Sequence, residues 1–145
     1  MAETDASYSG KVTFELVSPE RILLSETVEM VVIPGTEGDF GVLPGHAPLI
    51  SSIRPGTIRV YAGTTVTESI FVASGFAEVT PERCTVLADS AINVSSLNRD
   101  DVAAELASAN AALAAAGTAV DAYEGKQLSL AVLVATAKLE AIDTK

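Results

Sequence analysis

Glu37, Asp39 and His46 fall within a ten-residue stretch and are the side chains most able to do chemistry. Two carboxylates and an imidazole could hold a cation weakly, act as an acid–base set, or present charge to a partner protein. Acid–base or nucleophilic catalysis needs a second group that activates or orients the first. His46 is the only histidine and Cys84 the only cysteine, and they lie far apart in the chain. No H-E-x-x-H, C-x-x-C, G-x-S-x-G or EF-hand spacing occurs. A phosphate loop is also absent: there is no G-x-x-x-x-G-K-[ST] and no G-x-G-x-x-G opening a helix, and Glu37 and Asp39 would repel phosphate. These residues point to recognition, with no catalytic residue, metal or cofactor expected. His46 reads as a structural or interfacial histidine.

The stretch that must position them is Val32 to Ile50. It enters from the β-branched run Val31-Val32-Ile33, breaks at Pro34-Gly35, and then carries Gly38, Gly41, Pro44-Gly45 and Pro48. Glycine reaches φ > 0 and proline fixes φ, so this density of both predicts a shaped loop rather than a strand or helix. Phe40, Val42 and Leu43 are expected to anchor the loop inward, leaving Glu37, Asp39 and His46 to meet a partner.

Short alternating segments surround the loop. Lys11 to Ser18 places Val12, Phe14 and Leu16 on one face, and Ile22-Leu23-Leu24 begins a second strand. Thr27 to Ile33 reads as a third, with Val28, Met30 and Val32 facing one way. Leu49–Ile53, Ile58–Tyr61, Val66–Val72, Phe76–Val79 and Cys84–Ala88 follow, and Pro55-Gly56 suits the centre of a type II turn. Arg59 and Cys84 read as a surface residue and a small core or edge residue. This spacing predicts an antiparallel β-sandwich or barrel.

Near Ser95 the pattern changes. Asn98 can cap a helix with Asp100 and Asp101 in its first turn, and Val102, Leu106, Ala109, Leu113 and Ala116 form a narrow seam ended by Gly117. Thr118 with Asp121 starts a second helix, whose stripe is Tyr123, Leu130, Val134, Ala137 and Ala141. A short connection makes the two antiparallel. The fold class is therefore α+β in two parts: a polar tail at 1–10, a β-sandwich at 11–92, a linker at 93–97 and a two-helix hairpin at 98–145.

The chain has 145 residues, nearly half of them hydrophobic, and a formal net charge of −10. That charge offers no basic patch to nucleic acid or anionic lipid. The first ten residues hold no apolar stretch, and Leu128 to Ala135 is far too short to cross a bilayer, so neither a secretory signal nor membrane insertion is expected. A single cysteine excludes an intrachain disulfide.

Pro44-Gly45-His46-Ala47-Pro48-Leu49 resembles the signature of the epsilon subunit of the F-type ATP synthase, the counterpart of mitochondrial delta. Arg54-Pro55-Gly56 with Ile58-Arg59-Val60, Ser74 to Val79, and Val86 to Ala91 are similar to further segments of that family. The resemblance is to the bacterial type and covers residues 11 to 92. It implies a non-catalytic rotor subunit of the central stalk, which links the gamma subunit to the polar loops of the c-ring and couples proton flow to ATP synthesis. It places the protein peripherally on the cytoplasmic face of the bacterial inner membrane. Carried over by position, Gly35, Thr36, Glu37, Gly38 and Asp39 approach the c-ring, with Asp39 the principal contact. Ser18, His46 and Ser51 face gamma, with His46 foremost. Two alternatives remain open on the residues alone: a free-standing β-sandwich binding module with a helical oligomerisation hairpin, and a small barrel enzyme.

In many bacterial members the first helix begins with a motif that helps bind ATP. Here Asn98 stands in place of its Asp and Asp101 in place of its Arg, so no nucleotide site is expected. The family's hairpin can also reach the alpha/beta head, where its basic residues meet an acidic segment. Leu97 to Lys145 instead holds four basic residues against seven acidic ones, a net of −3. Approach to an acidic partner is then repulsive. The hairpin is expected to inhibit ATP hydrolysis only weakly. Deleting Leu97 to Lys145 should raise hydrolysis by the assembled enzyme less than tenfold; a larger activation contradicts the charge argument.

Overall fold

Val12, Phe14 and Leu16 alternate with Thr13, Glu15 and Val17, and the strand they form, β1 (Val12–Val17), buries the first set. The same alternation recurs in a computed structural model that describes residues 10–117 and 121–144. The expected tail up to Ser9, and Thr118, lie outside the described residues. The chain divides into two units, one ending at Asn93 and the other beginning at Val94.

The first unit continues with β2 (Ile22–Val28), β3 (Met30–Gly35), β4 (Gly38–Val42), β5 (Leu49–Ile53), β6 (Gly56–Ala62), β7 (Thr65–Val72), β8 (Gly75–Val79), β9 (Arg83–Ala88) and β10 (Ala91–Asn93). Strand order is β10-β7-β6-β3-β5-β8-β9-β1-β2, with β4 paired to β3. This path folds into a sandwich whose two layers join at one corner, where Gly35 of β3 pairs Ile53 of β5. The core is aliphatic apart from Phe14 and includes Leu16, Val31, Ile33, Ile58, Val60 and Val86. Cys84 lies within it, where burial pushes the thiol up to about 12, so it stays protonated and unreactive.

Several expectations change. The sheet is not wholly antiparallel, because β1 pairs β9 in parallel. Thr27 to Ile33 is not one strand: the chain bends at Glu29, which shifts the alternation by one, so Val31 and Ile33 are buried rather than Met30 and Val32. The Glu29 carboxylate instead accepts the Gly63 N–H of the β6–β7 hairpin at 2.7 Å. Gly56 does not take the positive φ of a type II turn. It opens β6, and a Cβ there would lie 2.7 Å from Cβ of Pro34, so close backbone approach explains the glycine.

In the second unit, a 3-10 turn at Val94–Ser96 precedes α1 (Arg99–Ala116) and α2 (Ala122–Thr144). Asn98 caps α1 by accepting the Asp101 N–H at 3.0 Å, and Asp121 caps α2 by accepting the Glu124 N–H at 2.8 Å. Gly117, at φ 56°, ends α1. Val102 is buried and Leu106, Ala109, Leu113 and Ala116 are half-buried, as the seam predicts. Ion pairs of Arg99 with Asp143 and of Glu105 with Lys138 establish the antiparallel hairpin. The second stripe holds only in its later part. Val134, Ala137 and Ala141 are covered, whereas Tyr123 and Leu130 are exposed. Apart from Leu113, α1 is alanine from Ala111 to Ala116, which leaves little side chain to cover them.

One polar contact lies at the rim of the core in the first unit. Glu26 pairs with buried Phe14, and Glu68 with buried Val60, so both side chains leave their strands on the core-facing side. The neighbouring charges Glu15 on β1 and Arg59 on β6 alternate to the opposite face. A hydrogen bond that protonated Glu68 donates to the Glu26 carboxylate, then burial, then like charge push Glu68 up to about 7 from 4.5. A carboxyl raised on folding takes up a proton, so its stabilisation is complete below pH 4.5 and is lost as pH rises through about 7. Thermal unfolding should therefore show Glu68→Gln gaining on the parent protein between pH 5 and pH 8. An equal effect at both pH values would remove the shared proton.

Candidate functional site

Within the stretch expected to be a loop, Gly38 to Val42 is the strand β4, and it returns along β3 with Pro34 opposite Asp39 and Gly35 opposite Gly38. Only Thr36 and Glu37 form the turn. The β-branched and aromatic residues Val42 and Phe40 meet Val31 and Ile33 across the ladder, a pairing that outweighs the loop signal of the glycines. The glycines serve the tip. Gly38 has φ 128°, and a Cβ at Gly35 would come within 2.9 Å of the Gly38 carbonyl oxygen. Val42 is buried and Phe40 packs on the core, but Leu43 is exposed and does not anchor the segment.

The end of β5 holds this tip in place. Thr36 N–H donates to the Ser52 carbonyl and Arg54 N–H to the Pro34 carbonyl, both at 3.0 Å. The Arg54 guanidinium donates from Nη1 to the Gly35 carbonyl at 2.6 Å and from Nη2 to Asp39 Oδ1 at 2.5 Å. Asp39 is thus ion-paired rather than a free charge. Glu37 is exposed at the tip, with no salt bridge or side-chain hydrogen bond. Thr36 to Phe40 and Leu49 to Ser52 line one hollow of about 410 Å³, which brings Ser51 beside the tip.

The other two residues expected to face a partner lie elsewhere on the unit. Ser18 sits in the β1–β2 turn, where its Oγ accepts the Glu20 and Arg21 N–H groups. That turn is at the same end of the sheet as Ile53 and Arg54. His46 is at the opposite end, next to the start of β5, and the preceding Gly45 N–H donates to the Pro81 carbonyl at 2.8 Å. The half-buried imidazole lies 6.5 Å from the Phe40 ring. Its Nδ1 is 2.7 Å from the Ala47 carbonyl oxygen. An oxygen of that kind only accepts, so Nδ1 carries the proton and Nε2 of the neutral ring is left as an acceptor. Asn98 and Asp101 are used in the helix cap.

Beside Ser18, across the strands, lies a face that the sequence reading missed. Register aligns Ser52, Phe76, Leu87, Val17 and Ile22 in one row across β5, β8, β9, β1 and β2. Phe76 is 57 % exposed, Leu87 46 % and Ile22 60 %, and Ile50, two residues along β5, is 72 % exposed. At about 4.8 Å between strands the row is roughly 19 Å long. A contiguous exposed apolar strip on a charged domain is the mark of a docking surface. Its only sequence signal is the apolar residue at an outward position in Gly-Phe-Ala-Glu-Val and Val-Leu-Ala, which means nothing until strand neighbours are known. Among the described residues no group of three or more His, Cys, Asp or Glu could hold a metal ion, and no helix is long and apolar enough to cross a membrane.

Comparison with known proteins bears on the same residues. The family described as ATP synthase, Delta/Epsilon chain, beta-sandwich domain matches residues 11–94. The ATP synthase epsilon chain of Rhodospirillum rubrum is 56 % identical over 114 residues, covering 79 % of this chain and 85 % of the relative. That of Paramagnetospirillum magneticum is 48 % identical over 128 residues, 88 % of this chain and 96 % of the relative. A chain in the cryo-EM structure of the Euglena gracilis mitochondrial ATP synthase shares the fold, with a TM-score of 0.77 at 24 % identity over 91 % of this chain and 81 % of that one.

Proposed function

The chain belongs to the ATP synthase delta/epsilon family, and we propose from that premise that it is a non-catalytic central-stalk subunit that couples c-ring rotation to the catalytic head. The work is mechanical. A rotor subunit must be held firmly on one side and engage the ring on another, and the β unit offers a separate surface for each.

The apolar row carries this reading. Phe76, Leu87, Val17 and Ile22 form the surface that docks on gamma, with Ser18 beside it, His46 at the opposite end of the same layer and Ser51 near the hollow. Apolar area at the centre and polar groups at the rim are what a stable interface requires. Nε2 of His46 is the acceptor offered to a gamma donor. The tip from Gly35 to Asp39 projects toward the polar loops of the c-ring, where its acidic charge complements basic residues. The subunit acts as a peripheral component on the cytoplasmic face of the bacterial inner membrane.

The hairpin contributes little to inhibition. Two of its cations, Arg99 and Lys138, are engaged by Asp143 and Glu105, so an acidic segment of the alpha/beta head would have to displace both pairs. Among the described residues Lys126 is the one hairpin cation that is exposed and in no salt bridge.

Titration of the purified chain with gamma tests the docking surface. Phe76→Asp and Leu87→Asp should each weaken binding at least tenfold, about 1.4 kcal/mol, without altering the fold. Val66→Asp, at an exposed apolar position in the other layer, should leave affinity unchanged. Equal affinity for all three variants would place the gamma surface elsewhere.

A further inference from the structure

Arg54 lies outside every set of residues assigned above to a partner, yet it holds both sides of the tip proposed to meet the ring. Its backbone N–H binds the Pro34 carbonyl, Nη1 binds the Gly35 carbonyl, and Nη2 binds the Asp39 carboxylate. Pro34 and Gly35 lead into the turn and Asp39 leads out of it. A planar guanidinium can bind a carbonyl on one strand and a carboxylate on the other at the same time; an ammonium group cannot reproduce that fork.

The pair is not there chiefly for stability. Arg54 and Asp39 are each nearly half exposed, and surface ion pairs contribute little to folding. Its consequence is electrostatic and geometric. Asp39 is neutralised within the frame of the tip, and Glu37 is left as the one tip carboxylate with no salt bridge.

We propose that Arg54 is a positioning residue of the ring contact: it fixes the β3–β4 tip and confines the tip's available negative charge to Glu37. The proposal rests on the reading of the tip as the ring-facing element. It moves the charge recognition from Asp39, which the sequence favoured, to its neighbour on the turn. Removing Arg54 frees a second negative charge, whereas removing Asp39 leaves Arg54 as an uncompensated cation beside Glu37.

Two measurements test this on the full chain. In the isolated protein, amide hydrogen exchange at Thr36 to Gly38 should speed up at least tenfold in Arg54→Ala and in Asp39→Asn, with Arg54→Lys restoring protection only in part. Unchanged exchange in Arg54→Ala overturns the positioning role. In the second, each variant is rebound to ATP synthase depleted of this subunit, and affinity is followed against salt. Glu37→Gln should flatten the salt dependence, Arg54→Ala should steepen it, and the double variant Arg54→Ala/Asp39→Asn, which removes the pair and leaves the net charge of the tip unchanged, should keep the slope of the parent protein. Arg54→Lys, which keeps the charge without the fork, should keep the parental slope, so charge and positioning are read separately. If the double variant flattens the slope while Glu37→Gln leaves it unchanged, Asp39 meets the ring directly and the proposal is wrong. If exchange rises as expected but rebinding and its salt slope are the same for every variant, the positioning role stands and the ring-facing reading of the tip fails.

Discussion

The two layers of the β unit share one hydrogen-bonded corner, and backbone must pass against backbone there. Gly35 pairs Ile53 across it, Pro34 and Gly35 are buried in it, and Gly56 turns out of it with no room for a Cβ beside Pro34. The conformation of this corner determines where everything else can go. It directs the β3–β4 hairpin outward, brings the end of β5 beneath the tip, and sets Arg54 within reach of both hairpin strands. The small and rigid residues here are therefore constraints on packing before they are features of a loop.

The layer containing β5, β8, β9, β1 and β2 uses its two faces differently. Its inner face supplies Phe14, Leu16, Val79, Cys84 and Val86 to the core, and its outer face carries Phe76, Leu87 and Ile22 in the open. Exposed apolar area of that extent gains free energy only when covered, at roughly 25 cal/mol per Å² before the costs of association. A sheet apolar on both sides is thus prepared for a permanent partner on one of them. The tip, in contrast, presents a small and charged surface.

The hairpin is held together by different means. Its seam is rich in alanine, which lets the helices approach closely but buries little area per turn. Ion pairs at Arg99–Asp143 and Glu105–Lys138 add register at exposed positions where each contributes modestly. The hairpin is thus the less deeply cored of the two units.

Much of this protein was legible in the sequence because local rules govern those parts. Alternation in Val12–Leu16 and in Cys84–Ala88, the cap at Asn98, the seam from Val102 to Ala116 and the stop at Gly117 all depend on residues a few positions apart. The Pro-Gly-His-Ala-Pro-Leu motif resembles the signature of the family whose model matches residues 11–94. Tertiary structure decided what depends on residues distant in the chain. β4 formed within a glycine-rich stretch because its Phe40 and Val42 found partners in Ile33 and Val31. The bend at Glu29 reversed the buried face of β3, a half-turn of phase that no local pattern encodes. Asp39 looked free until a residue fifteen positions later was folded beneath it. The apolar row exists only through register, since Phe76, Leu87, Val17 and Ile22 come from four strands and become one surface when those strands are paired.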